Sequence, residues 1–150
     1  MQGSFSISFD KKGIADFNAA CQVSIKSLFN GTKKATEAGC REIYENSLQQ
    51  VPKNTMTLAD SAFYEVSRRT DISSYRFSGI VGYGGNGDPI NPKTGKRASY
   101  YMVAVHERMD VEHPNGKAKF LEDPARDFAA KNFHRTVFKY AQESLASFST

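Results

Sequence analysis

The sequence has no tryptophan, two cysteines, three histidines and five prolines in 150 residues. Each scarcity excludes something. Cys21 and Cys40 are too few for the disulfide framework of a small secreted domain, and they fit a reducing compartment. The histidines, His106, His113 and His134, are too dispersed for a zinc site, which would need a third nitrogen or sulfur ligand beside the first two. No apolar run approaches the ~20 residues that span a bilayer, so no membrane association is expected. The opening MQGSFSISFDKK lacks a basic stretch followed by an apolar core, so no secretory leader is expected and synthesis in a cytoplasm follows. No dense basic tract occurs either. Lysines and arginines come in pairs at most, as in Lys11-Lys12, Lys33-Lys34 and Lys96-Arg97. The net charge of +4 and pI near 9.1 therefore favour an anionic partner only mildly, and no nucleic-acid-reading motif accompanies them.

What is present reads as one α+β domain over residues 1–150, long enough to bury roughly 70% of its unfolded surface. Ser4 to Phe9 alternates, with Phe5, Ile7 and Phe9 on one face, as a short half-buried strand does. From about Lys11 to Gln50 the period becomes helical. Ile14, Phe17, Cys21, Ile25, Leu28, Thr32, Ala35, Gly39 and Ile43 recur at steps of three and four. Gly31 allows a helix hairpin at Asn30-Gly31, but the stripe stays in phase across it. One long helix of roughly 60 Å, ended by Pro52, is the preferred reading. On it, Cys21 and Cys40 would lie roughly 28 Å apart, beyond the reach of a disulfide. Such a helix exceeds what a globule of this size covers, so part of its apolar face should meet other subunits.

Ala62 to Arg69 and Ser74 to Tyr83 are rich in aromatic and β-branched residues and predict a small antiparallel sheet, turning near Thr70-Asp71. Phe63, Val66, Phe77, Ile80 and Val81 are its expected core. Gly84 to Ala98 is a loop with four glycines and two prolines and no evident cluster to order it. Tyr101 to Val105 is a compact apolar run, open to either a helical or a strand reading. Asp123 as N-cap and Pro124 in the first turn then start a C-terminal helix running to about Phe148, expected to pack on the sheet. Its apolar face is Ala125, Ala129, Phe133, Val137, Ala141 and Leu145.

Three motifs suggest chemistry and fail on spacing. Gly82-Tyr83-Gly84-Gly85-Asn86-Gly87 matches a dinucleotide-binding pattern, but Asp88-Pro89 and Asn91-Pro92 keep the chain extended where a helix must begin. Thr94-Gly95-Lys96-Arg97 lacks both the first glycine and the magnesium-binding hydroxyl of a phosphate loop. His106, Glu107 and His113 are better placed to bond nearby backbone than to hold a metal. Nothing pairs a nucleophile with a base.

Tyr101, His106-Glu107, His113, Gly116, Lys119-Phe120-Leu121-Glu122 and Ala125 occur in an order and spacing that resembles the signature of small tailed-bacteriophage proteins. These are the neck and tail-completion, or minor-capsid, proteins of the HK97 gp10-like family. Val51-Pro52, Thr55, Leu58 and Ser61 are similar to a second stretch of that family, with Met56 standing where the family has glycine. The resemblance implies a non-enzymatic virion protein of the neck or tail, without cofactor or metal. It implies a homo-oligomeric ring, a hexamer in preference to a dodecamer, bordered by neck, portal-adaptor or tail proteins and close to packaged DNA. Gly84, Gly85, Asn86, Lys93, Lys96 and Arg97 are then the candidate assembly interface. Tyr101, His106, Glu107, His113, Phe120 and Leu121 form the structural motif. The alternative is a nucleic-acid-binding module that uses the basic excess; a hydrolase would need a convergent polar pocket.

Overall fold

The computed structural model describes residues 10–71, 74–85 and 87–147, and the backbone alone for 68–71 and 74–76. The expected strand at Ser4 to Phe9 lies outside the described residues, whereas Thr70 and Asp71, where the sequence predicts the turn of the sheet, are still paired in the first strand, with Tyr75 and Ser74. The elements are α1 (Lys11–Gln50), α2 (Thr57–Asp60), β1 (Phe63–Asp71), β2 (Ser74–Gly82), α3 (Ala98–Glu107), α4 (Glu122–Asp127), a π-helical turn (Phe128–Asn132) and α5 (Phe133–Ala146). The architecture is α+β, as the pattern predicts.

α1 is one unbroken helix. It begins where the Asp10 carboxylate accepts from the backbone N–H groups of Lys12 and Gly13, at 3.0 and 3.1 Å. It ends at Val51, held extended (ψ 137°) by the proline that follows. Gly31 is not a break. A side chain there would meet the Tyr140 carbonyl at 2.7 Å, so the glycine is what lets α5 approach α1. Gly39 does the same beneath the Phe128 ring. α5 lies chiefly along α1, which corrects its expected packing on the sheet, while the β1-β2 hairpin covers another flank of that helix.

The hairpin pairs in one antiparallel register from Phe63 opposite Gly82 to Asp71 opposite Ser74. Only one face of this two-stranded sheet meets α1. Gly79 lies against Cys40 and Thr36, and the Phe77 ring packs on Phe29 with centroids 4.6 Å apart. Ile80 is 54% exposed, which corrects its assignment to the core. Strand side chains alternate faces, so Ile80 must point away from the face that Phe77 and Gly79 share.

The main core lies where α1 ends, around Val51, Leu58, Ala59, Tyr83, Ala98 and Phe120. Within it the Ser47 and Tyr83 hydroxyls are 2.6 Å apart, and burial pushes the Tyr83 hydroxyl pKa up to about 12. Two further differences concern the C-terminal helix. Asp123 is inside α4, whose N-cap position is Leu121 with no side-chain bond. The helix starts earlier because the Asp123 N–H already bonds the Lys119 carbonyl. The π-helical turn then inserts a residue and rotates the following face. Ser144 is buried against α1, whereas Phe133, Val137 and Leu145 are exposed.

Candidate assembly surfaces

The loop after β2 is tied down by its own polar groups, contrary to the expectation that it had no ordering contacts. Asp88 accepts from the Ser99 backbone N–H at 2.8 Å and from its hydroxyl at 2.6 Å, closing the otherwise uncapped start of α3. Those two donors, helped by Arg97, hold the Asp88 carboxyl below its ordinary pKa. Pro89 accepts from the Ala98 N–H, and Ile90 bridges to Arg97 across a tight Asn91–Gly95 turn. Gly84 has φ +74°, and a side chain there would strike Ser99. Gly85 donates to the Ser61 carbonyl. Asn86 lies outside the described residues. At the basic end, Lys93 reaches the Asn54 side chain at 3.2 Å, Lys96 sits 5.0 Å from the Tyr100 ring centroid, and Arg97 is exposed. The candidate interface therefore forms a knob rather than a loose arm.

The structural motif does gather. Phe120 is 1% exposed, with the Tyr83 and His106 rings edge-on to it at 5.0 and 4.9 Å. His106 Nδ1 faces the Glu107 carboxylate at 2.7 Å, while its Nε2 accepts from the Glu122 backbone N–H at 3.3 Å. The expectation that His106 fixes nearby backbone is thus met at the start of α4. Glu107 instead pairs with Lys119, which also bridges to Glu122 at 2.9 Å. The ammonium lowers both carboxyl pKa values, and they raise its own. Leu121 is half-buried on the core. Tyr101 and His113 lie nearer Pro52; the Tyr101 hydroxyl accepts from Asn91 at 3.5 Å, and His113 Nε2 donates to the Arg108 carbonyl at 2.6 Å. Gly116 passes so close to Pro52 that a side chain would overlap its backbone.

The upstream stretch joins the same core, through Val51, Leu58 and Ser61. Met56 between them has φ 57°, a left-handed conformation that glycine adopts without strain.

A third surface is absent from that candidate set. Every residue from 11 to 20 is exposed. Phe17 is 68%, Ile25 55% and Ile14 47% exposed, so the large residues in the first half of the α1 stripe face solvent. A stripe at helical spacing normally signals a buried face. Here the signal for exposure was helix length, which the small core cannot match. Beside the buried half of α1, a cleft of about 410 Å³ opens between β2 and α5, with Phe77, Phe133 and Val137 on its walls.

Among the described residues no three His, Cys, Asp or Glu side chains converge to hold a metal. The glycine-rich stretch ends in the Asp88 knob, and α3 starts only at Ala98. Both cysteines are free thiols on one helix, with burial raising the Cys40 pKa. No described helix is long and apolar enough to cross a membrane. Comparison with family models, with curated proteins and with solved structures found no match.

Proposed function

We propose that this chain is a non-enzymatic structural protein of a tailed-phage virion, a neck or tail-completion component that joins head and tail as part of a homo-oligomeric ring. The bare apolar half of α1 carries this reading. A row of Ile14, Phe17, Ile25 and Leu28 in water is the mark of a surface completed by association. The motif from Tyr101 to Ala125 supplies the resemblance to the neck family, and the left-handed Met56 supports the second stretch of it. In this reading the knob bearing Lys93, Lys96 and Arg97 faces an acidic surface on a neighbouring neck or tail protein. Native mass measurement of the purified protein tests it. A closed ring, with six subunits favoured, is expected; a monomer at every concentration would overturn it.

One observation favours a second reading. The projecting part of α1 carries Lys11, Lys12 and Lys26 against a single Asp16. A nucleic-acid-binding module would use that excess. Binding to duplex DNA that weakens steeply between low and moderate salt, with the protein still monomeric, would select it over the ring.

A further inference from the structure

We infer that His106 is a pH-operated clasp: its neutral imidazole holds the start of α4 to the end of α3, and its protonated imidazolium releases it. The clasp is internal to one chain and stands whether or not the chain assembles.

The two ring nitrogens meet opposite partners. Nδ1 lies 2.7 Å from the Glu107 carboxylate, which only accepts, so Nδ1 carries the proton. Nε2 lies 3.3 Å from the Glu122 backbone nitrogen, whose N–H only donates, so Nε2 presents its lone pair. Only the neutral imidazole with its proton on Nδ1 satisfies both. A second proton makes Nε2 a donor facing a donor, and one of the two contacts must break. His113 is the contrast. Its Nε2 already donates to the Arg108 carbonyl at 2.6 Å, so protonation leaves that bond intact.

Charge decides which His106 contact is lost. The imidazolium is drawn to Glu107, so the bond to Glu122 gives way. The ring is edge-on to Phe120 and its side chain only 18% exposed, which leaves it little room to turn instead. A second tie weakens in the same direction. Lys119 bridges Glu107 on α3 to Glu122 on α4, and an imidazolium on Glu107 competes for that carboxylate and repels the ammonium. On α4 the Glu122 and Asp123 carboxylates favour the imidazolium, but Lys119 and Arg126 engage the first and Lys117 the second. Tyr83, which shares the Phe120 ring with His106, stays neutral because burial pushes its pKa up to about 12. The clasped state binds one proton fewer than the released state, so acid favours release.

The test is amide exchange at Glu122, followed by NMR on the dilute full chain at about pH 7.5 and about pH 5.5, which bracket histidine titration and stay above that of carboxylates. After correction for the intrinsic pH dependence of exchange, protection at Glu122 should fall about five- to tenfold in acid, as loss of a helix-capping contact implies. The fall should track titration of the His106 ring, while amides of residues 35–47 keep their protection. In H106Q, which cannot titrate, protection at Glu122 should be equal at the two pH values, whatever its level. If H106Q does not fold, the wild-type ring nitrogen shifts at the higher pH decide, and they should place the proton on Nδ1. The opposite tautomer would overturn the clasp. So would Glu122 protection that stays constant while His106 titrates, an acid loss in H106Q equal to that of the wild type, or a His106 ring still neutral at about pH 5.

Discussion

The two halves of α1 share one apolar spacing and meet opposite fates. From Gly31 onward most of the stripe apart from Thr32 is covered, and the buried positions are small: Gly31, Ala35, Gly39, Cys40 and Ser47. Before Gly31 the stripe is large and bare, with Ile14, Phe17, Ile25 and Leu28 exposed. Periodicity reports which face of a helix is apolar, and residue size reports how the face is used. Small residues admit a neighbouring backbone at close range, as α5 is admitted at Gly31. Large residues without a neighbour have an unfilled partner.

The sharpest contrast sets Phe120 against Phe17. Phe120→Ala should cost about 3–5 kcal/mol in urea denaturation, because the ring is 1% exposed and its cavity is enclosed by Tyr83 and His106. Phe17→Ala should leave the monomer within about 0.5 kcal/mol. Equal costs would mean that the projecting half is buried in the monomer as well.

Next in size is Gly31→Ala. Alanine favours a helix over glycine by about 1 kcal/mol, but its methyl group would sit 2.7 Å from the Tyr140 carbonyl. Overpacking should win, with a net loss of about 1–3 kcal/mol read from the melting midpoint. A gain in stability would show that α5 is not held at Gly31.

Met56→Gly should act in the opposite sense, stabilising the chain by about 1 kcal/mol, since a methionine at φ 57° bears left-handed strain that glycine does not. A loss on that substitution would mean that the Met56 side chain contributes more by packing than its backbone costs.

The smallest effect is on acid stability. Asp88, Glu107, Glu122 and Asp123 all have carboxyl pKa values held below ordinary by hydrogen-bond donors and nearby cations. A folded pKa below the unfolded one gives stability that is present above the unfolded value, 3.8 for Asp and 4.5 for Glu. That stability is lost as pH falls through the folded value. Melting should therefore decline below about pH 4.5, and Asp88→Asn should flatten part of the decline. An unchanged acid profile in the variant would remove Asp88 from the start of α3.

Much of this fold was legible. The α1 boundaries follow from Asp10, an unbroken stripe and Pro52, all local signals. The hairpin follows from its β-branched and aromatic runs. Other features depend on contacts between residues far apart. Asp88 closes a helix that begins ten residues later, so no capping pattern marks it and the loop read as unsupported. The π-helical turn at Phe128–Asn132 leaves no trace in residue spacing, and it moved Phe133 and Val137 off the buried face. Assigning Phe77, Ile80 and Val81 to one core ignored the two-residue period of a strand. The candidate site was legible in part. Phe120 and His106 meet in space, while the bare helix surface was visible only as an excess of length over core.

Hydrogen exchange along α1, measured in dilute and in concentrated protein, tests the central contrast most directly. Amides in residues 31–50 should approach global protection at both concentrations. Those in residues 11–28 should exchange fast when dilute and gain protection only as the protein associates. Protection of residues 11–28 equal to that of 31–50 in the dilute monomer would contradict the account.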